Sequence, residues 1–270
     1  MILQYASSNG NVFDLKAGHF RTRTGNYHDF TWTPKAITQQ YGERVWRFDK
    51  KPVTYSTLIT VFGSLDERRT FLNLLHAAFD HDIRTMTPGR IVHGMYYVDC
   101  FITSSKTYYS APWTQNELQI YCPYPFWIRE DNYRLRAAEA GEYEYLDYPY
   151  DYPYDYTATL PGYGMIRNSG EGAADFVLKL SGAVNPLIVI GNNRVGVNAT
   201  IGANETLIIS SKDKTVVKET PTGTINLFNS RIKDGSIFEK IPSGENAVMW
   251  SGLYDIDLTL YEERSEPLWI

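Results

Sequence analysis

Val53-Thr-Tyr-Ser-Thr-Leu-Ile-Thr-Val-Phe62, a single Gly63, and then Ser64-Leu-Asp-Glu-Arg-Arg-Thr-Phe-Leu-Asn-Leu-Leu-His-Ala-Ala-Phe79 form the stretch on which the first half of the chain turns. Its first ten residues are nearly all β-branched or aromatic, and Val53, Tyr55, Thr57, Ile59 and Val61 alternate with Thr54, Ser56, Leu58, Thr60 and Phe62. That pattern spells a strand. Apolar residues on both sides near its end predict that both faces are covered there. The switch to helix is written just as clearly. Ser64 is a good N-cap, Glu67 completes a capping box, and Asp66 and Glu67 suit the positive end of the helix dipole. Phe71, Leu74, Leu75, Ala78 and Phe79 recur at i, i+3, i+4, i+7 and i+8, which makes one apolar face. Arg68, Arg69, Asn73 and His76 fall mostly outside it. A helix is expected over residues 65–79.

Strands return downstream. Arg90–His93, Met95–Thr103 and Thr114–Cys122 all read as β. In the last, Leu118, Ile120 and Cys122 share a face opposite Glu117, Gln119 and Tyr121. Pro123-Tyr-Pro-Phe-Trp127 ends it, because proline cannot donate to a ladder. Residues 1–130 are therefore expected to form several strands with one packed α-helix, an α+β or barrel-like unit of the barrel-like/split β-sandwich kind. Residues 131–160 differ. Arg134–Ala140 reads as a short helix or loop. Seven tyrosines then fall between Tyr143 and Tyr156, and each Tyr-Pro step enforces extended backbone. The run matches a common epitope tag only over Tyr148–Asp151 and is internal, so it is taken as native. Disordered segments are normally poor in aromatics, so the rings are expected to dock on something.

From Gly162 the pattern is all β. Strand candidates are Asp175–Leu180, Leu187–Ile190, Arg194–Val197, Thr206–Ser210, Thr215–Lys218, Ser236–Glu239, Ala247–Ser251 and Asp255–Glu262. Short strands at roughly 8–12-residue spacing with polar turns indicate a β-sandwich or jelly roll for residues 161–270. The whole chain is expected to be mainly β.

Composition narrows the function. No apolar run approaches the ~18 residues of a membrane helix, and the N-terminus lacks the basic and apolar regions of a secretory signal. Cys100 and Cys122 are too few for a disulfide framework or a zinc cage and are expected to be buried free thiols. The net charge is −5. Residues 1–130 carry 14 basic against 11 acidic side chains, residues 131–160 carry 2 against 7, and residues 161–270 carry 10 against 13. None of these has the clustered basic excess of a nucleic-acid binder, and the densest aromatic segment is acidic, which repels phosphate.

Enzyme signatures are missing. There is no Gly-x-Ser-x-Gly elbow, phosphate loop or dinucleotide fingerprint. Gly191-Asn-Asn-Arg-Val-Gly196 lacks the following helix of an anion site and reads as a turn. His76, Asp80, His81 and Asp82 lie close enough on one helix to suggest metal ligands, but no third ligand has a diagnostic spacing. They read instead as a solvated, charge-rich helix end. Asp255 with Asp257, and Glu262 with Glu263, supply the carboxylates that glycoside hydrolysis needs; the first pair reads more simply as the wet face of a strand. Trp250, Tyr254, Tyr261 and Trp269 could stack on sugars or form core. The expectation is no catalytic, metal-binding or cofactor-binding residue and no cofactor.

Taken in order, these features resemble the distal tail proteins of long, non-contractile-tailed bacteriophages. The resemblance spans the chain. It rests on the strand–helix–strand order around Ser64–Phe79 and on Gln119-Ile-Tyr-Cys-Pro-Tyr-Pro-Phe-Trp127. In the second half it rests on Asn226-Leu-Phe228, Phe238-Glu-Lys-Ile-Pro-Ser-Gly-Glu-Asn246 and Tyr261-Glu-Glu-Arg-Ser-Glu-Pro-Leu-Trp269. It implies a non-enzymatic virion protein at the distal end of the tail, assembled in the host cytoplasm. The N-terminal domain, related to tail-tube subunits, would build a homohexameric ring, with a galectin-like C-terminal sandwich projecting outward. Implied partners are the tail tube protein, a tail-associated lysin or fibre hub protein, and receptor-binding proteins, with DNA passing through the lumen without sequence-specific binding. The alternative is a carbohydrate-binding adsorption protein gripping host cell-wall glycans.

Overall fold

The computed structural model describes residues 3–110, 112–137 and 162–269. The protein is mainly β, with several sheets and, among the described residues, one α-helix. It divides into two compact units, residues 1–129 with 263–270, and residues 130–262. The reading of residues 161–270 as one domain thus differs at its end: the last eight residues group with the first unit, where Leu268 packs against the core. Most of the 131–160 connector, including the tyrosine run, lies outside the described residues.

In the first unit, β1 (Leu3–Ala6) pairs with β2 (Val12–Asp14), β3 (Phe20–Gly25) pairs with β6 (Val53–Phe62), and β4 (Thr33–Thr38) pairs with β5 (Glu43–Asp49). Helix α1 (Leu65–Thr85) follows, then β7 (Gly89–His93), β8 (Tyr96–Tyr109), β9 (Trp113–Cys122) and the start of β10 (Trp127–Leu135). The long β8 serves two sheets. Its first five residues pair with β7, which continues to β1 and β2. From Phe101 onward it pairs with β9, which continues to β6 and β3. A register shift between Ile102 and Ser104 marks the change, as a bulge bends a strand and raises its twist. This shared, bent strand produces the split-sandwich form. Leu118, Ile120 and Cys122 point into the core as the alternation requires, and Ile59, Thr60 and Val61 are buried in succession where β6 is covered on both faces. Cys100 and Cys122 are buried free thiols; burial pushes the Cys122 thiol up to about 12.

The helix starts as its sequence dictates, with both hydrogen bonds of the Ser64–Glu67 capping box in place. It runs six residues beyond Phe79, ending where Met86 takes a left-handed conformation as C-cap. Its buried face also differs. Leu75, Ala78 and Phe79 are buried, but so are Arg68 and Asp82, whereas Leu74 is half exposed. Arg68 and Asp82 lie one or two turns from Leu75 and Phe79 on the same face. Their polar types had hidden that face. Arg68 reaches the carbonyl of Ser110 (3.2 Å) and the hydroxyl of Thr114 (3.0 Å).

The second unit is a sandwich. One sheet runs β19 (Gly223–Asn226), β18 (Thr215–Thr220), β17 (Thr206–Ser210), β12 (Asp175–Leu180), β21 (Ile256–Arg264), then the distal part of β10. The other is β11 (Gly162–Asn168), β20 (Gly244–Trp250), β14 (Leu187–Ile190) and β15 (Asn193–Gly196). A short ribbon joins β13 (Ala183–Val184) to β16 (Thr200–Ile201). Phe176, Leu178, Ile188, Val195, Leu207, Val248, Ile256 and Leu258 fill the space between. Two expectations are corrected. Ser236–Glu239 is a turn closed by Glu239 N–H to Ser236 C=O (3.0 Å), not a strand, although Ile237 is buried. Arg134 and Leu135 are the end of β10 rather than a helix or loop; Arg134 is held there by Asp257 (2.9 Å).

Candidate functional site

Of the four candidates at the helix end, the structure brings only His81 and Asp82 together: His81 Nδ1 lies 3.6 Å from Asp82 Oδ1 and 3.2 Å from Ser8 Oγ. His76 Nε2 lies 3.2 Å from Ser105 Oγ and 3.3 Å from Asn116 Nδ2, and burial holds its pKa below the usual histidine value. Asp80 is exposed. Asp82 turns the other way, into the core. Tyr5 donates to its Oδ2, and Ser7 Oγ (2.7 Å), Ser8 Oγ (2.6 Å) and Ser8 N–H (2.9 Å) all donate to its Oδ1. Burial opposes the charged form, but these donors outweigh it and hold the carboxyl below its ordinary range. The helix end is therefore not simply a solvated one. Gly89 makes room for the cluster, since a Cβ there would stand 2.5 Å from Asp82 Oδ2. Among the described residues no three His, Cys, Asp or Glu side chains converge as metal ligands.

The acidic residues are held by different partners. Asp255, just ahead of β21, and Asp257, on its wet face, bind Arg136 (3.0 Å) and Arg134 (2.9 Å). Glu262 is buried and accepts from Ser169 N–H (2.6 Å), whereas Glu263 accepts from Tyr124 (2.6 Å). Of the four aromatics, Trp250 and Tyr254 are core: the Trp250 indole donates to the Tyr254 carbonyl at 2.9 Å. Their remaining exposed edges line an apolar pocket of about 590 Å³ together with Val184, Leu187, Met249 and Leu253. Tyr261 is half-buried beside Lys212. Trp269 is exposed and stacked on His28 at 3.8 Å.

What stands out instead is the ribbon β4–β5, which no strong sequence pattern marks. It pairs with no other described strand, and every residue from Ile37 to Phe48 is exposed. The register places Pro34 opposite Phe48 and Ala36 opposite Val45 on one face. Lys35 with Arg47, and Ile37 with Arg44, occupy the other. A shift between Lys35 and Ala36 leaves Trp46 as the extra residue, 60% exposed with Arg47 against its ring. The ribbon thus has an apolar face and a charged one, on which Asp49 lies against Arg47 (2.7 Å) and Lys35 (3.9 Å), and no other described strand pairs with it. An isolated two-stranded hairpin is marginal in water. Only weak alternation marked it in the sequence. At its base, Lys50 sits against Phe126 (4.4 Å) and donates to the Ser265 carbonyl (3.2 Å). Burial lowers its pKa to about 8, against the opposing pull of Glu263.

The sequence matches no protein-family model and no curated protein. The fold does have solved counterparts. The Dit protein of phage SPP1, a paradigm of the hub adsorption apparatus in phages infecting Gram-positive bacteria, superposes with a TM-score of 0.63 at 10% identity, over 98% of this chain and 100% of that one. A chain of the phage P2 baseplate in its activated conformation with calcium gives 0.65 at 13% identity, over 99% and 100%. The same baseplate with strontium gives 0.64 at 12% identity, with the same coverage. The chain has the fold of phage distal tail and baseplate hub proteins, end to end.

Proposed function

We propose that this chain is a structural distal tail protein of a long, non-contractile-tailed phage, without enzymatic activity. The observation that carries the reading is that likeness of fold, which extends over 98–99% of this chain and 100% of each counterpart. In this reading the first unit builds a hexameric ring at the distal end of the virion tail, and the second unit projects from it. Residues 131–160 connect them. The ring joins the tail tube protein to a lysin or fibre hub protein, anchors receptor-binding proteins, and is assembled in the host cytoplasm. The uncovered ribbon β4–β5 supports a ring, because a cyclic assembly needs two different surfaces that cover one another by rotation. Its Trp46 and Arg47 are residue types that interfaces favour.

The test is the native mass and a negative-stain image of the purified chain, alone and with its tail-tube neighbour. The expected result is a ring with a mass near six times 30.9 kDa. Replacing Val45, Trp46 and Phe48 with Ser should leave a folded monomer. A wild-type chain that stays monomeric in both settings, with the ribbon cut by protease at the same rate throughout, would overturn the reading.

A further inference from the structure

The second unit carries a continuous apolar surface that its described residues leave open. It starts in the pocket of about 590 Å³, where Val184 is 70% and Leu253 72% exposed and the buried Trp250 and Tyr254 form the back wall. It continues over the outer face of the four-stranded sheet. There the register sets Val189 of β14, Met249 of β20 and Tyr163 of β11 side by side across three strands. Met249 and Tyr163 are exposed and Val189 is half-buried. No charged side chain lines the pocket. Contiguous apolar surface of this kind marks a place where something binds.

The chain itself brings an occupant to the rim. Ala137 N–H donates to Asp255 Oδ1 at 2.7 Å, next to Tyr254 of the pocket wall, and is the last described residue before residues 138–161. Gly162 resumes the chain opposite Trp250 in the β11–β20 ladder, so close that a Cβ there would stand 2.3 Å from the indole ring. Residues 138–161 therefore start and finish beside this surface. At no more than about 3.3–3.6 Å per residue, Tyr156 stays within roughly 20 Å of Gly162. A tether at each end also turns docking into an intramolecular event, with an effective concentration of about the millimolar level for short linkers.

The sequence of that segment suits the surface. Tyr148, Tyr150, Tyr152, Tyr154 and Tyr156 fall at alternate positions, with Pro149, Asp151, Pro153 and Asp155 between them. Residues before proline favour extended backbone, and in a strand alternate side chains share one face. Such a strand presents a row of rings on one side and its carboxylates on the other. Residues 138–161 contain no Lys or Arg, so the segment has no cation that docking on an uncharged pocket would strand. We propose that the tyrosines of residues 148–156 seat in this pocket and along the Val189–Met249–Tyr163 row of their own unit, with Asp151 and Asp155 turned to water. Pocket, row and segment all belong to one unit of one chain, so the inference stands apart from the ring assembly proposed above.

Methyl-labelled methionine NMR on the full chain tests it, because the chain has only five methionines. Met249 reports on the surface, and the exposed Met86 and Met95 of the first unit are controls. Replacing Tyr150, Tyr152 and Tyr154 together with Ser should remove the ring-current displacement of the Met249 methyl signal and leave Met86 and Met95 unmoved. Chymotrypsin gives a second readout. It cuts after Tyr150, Tyr154 and Tyr156, which no proline follows. Leu253→Asp, at an exposed edge of the pocket, should speed those cuts by about tenfold or more, the effect of losing one buried leucine contact. A Met249 signal that does not move in the tyrosine variant, or equal cutting of wild type and Leu253→Asp, would overturn the proposal. So would a Met249 signal in the labelled tyrosine variant that returns to its wild-type position when unlabelled wild-type chain is added, since that assigns the surface to a second copy.

Discussion

Asp82 and the pair Asp255–Asp257 look alike in the sequence and have opposite fates in the fold. All three sit among polar neighbours near the end of a regular element, and each reads as a solvated charge. In the first unit Asp82 is fully buried, with donors from Tyr5, Ser7 and Ser8 on both oxygens. In the second unit Asp255 and Asp257 remain exposed, each against one arginine. The contrast teaches that charge type does not decide burial. Donor supply does: a carboxylate leaves water only where the fold delivers enough N–H and O–H groups to replace it. Here the donors come from β1 and the turn after it, more than 70 residues from the helix in sequence.

The contrast can be broken most directly at Asp82. Asp82→Ala leaves Tyr5, Ser7 and Ser8 with donors facing a void and should destabilise the protein by about 3 kcal/mol or more. Urea denaturation monitored in the first unit would read this. A loss below about 1 kcal/mol would place Asp82 with the surface carboxylates and erase the distinction. Gly89→Ala should act in the same direction, because its methyl group would collide with Asp82 Oδ2 and Tyr5 Oη.

A smaller effect follows from acid. The folded state holds the Asp82 carboxyl below its unfolded value near about 4. Its contribution is therefore complete above the unfolded pKa and is lost as pH falls through the folded one. Stability of the wild type should decline steeply below about pH 4, and Asp82→Asn, already destabilised at neutral pH, should decline less over the same range. Parallel curves for the two proteins would show that the donors do not favour the ionised form. Asp175, whose carboxyl is also held low despite burial, by Lys240 and Ser211, adds to the wild-type slope in the second unit. The Asp82 variant isolates the first.

How much of this was legible in the sequence depends on how local the cause is. The capping box, the alternation of β9 and most strands of the sandwich follow from residues within a few positions of one another, and they were readable. The longer helix was not, because its last turn of Asp80-His-Asp-Ile-Arg-Thr85 carries no apolar stripe; the donors that bury Asp82 lie at the other end of the unit. The turn at 236–239 was misread for the mirror-image reason. Ile237 and Phe238 have strand-like side chains, yet the backbone closes locally and buries Ile237 without a ladder partner. The ribbon β4–β5 is hard to read because burial patterns reveal strands packed on a sheet of their own chain, and this ribbon pairs with no other described strand.

The weakest test sharpens the other side of the contrast. Asp255 accepts from Ala137 N–H (2.7 Å) as well as from Arg136, and Asp257 binds Arg134. These contacts tie the end of β10 to β21, but all the charges are in water, where each pair gains little over its hydrated partners. Asp257→Asn should leave the melting temperature within about 1 °C of wild type, with any change vanishing in high salt. Asp255→Ala should show slightly more, through the lost backbone acceptor, and that part should survive salt. If Asp257→Asn instead cost as much as Asp82→Ala, exposure would be a poor guide to the energetics of this protein's carboxylates. Donor supply would then no longer explain why one aspartate is buried and two are not.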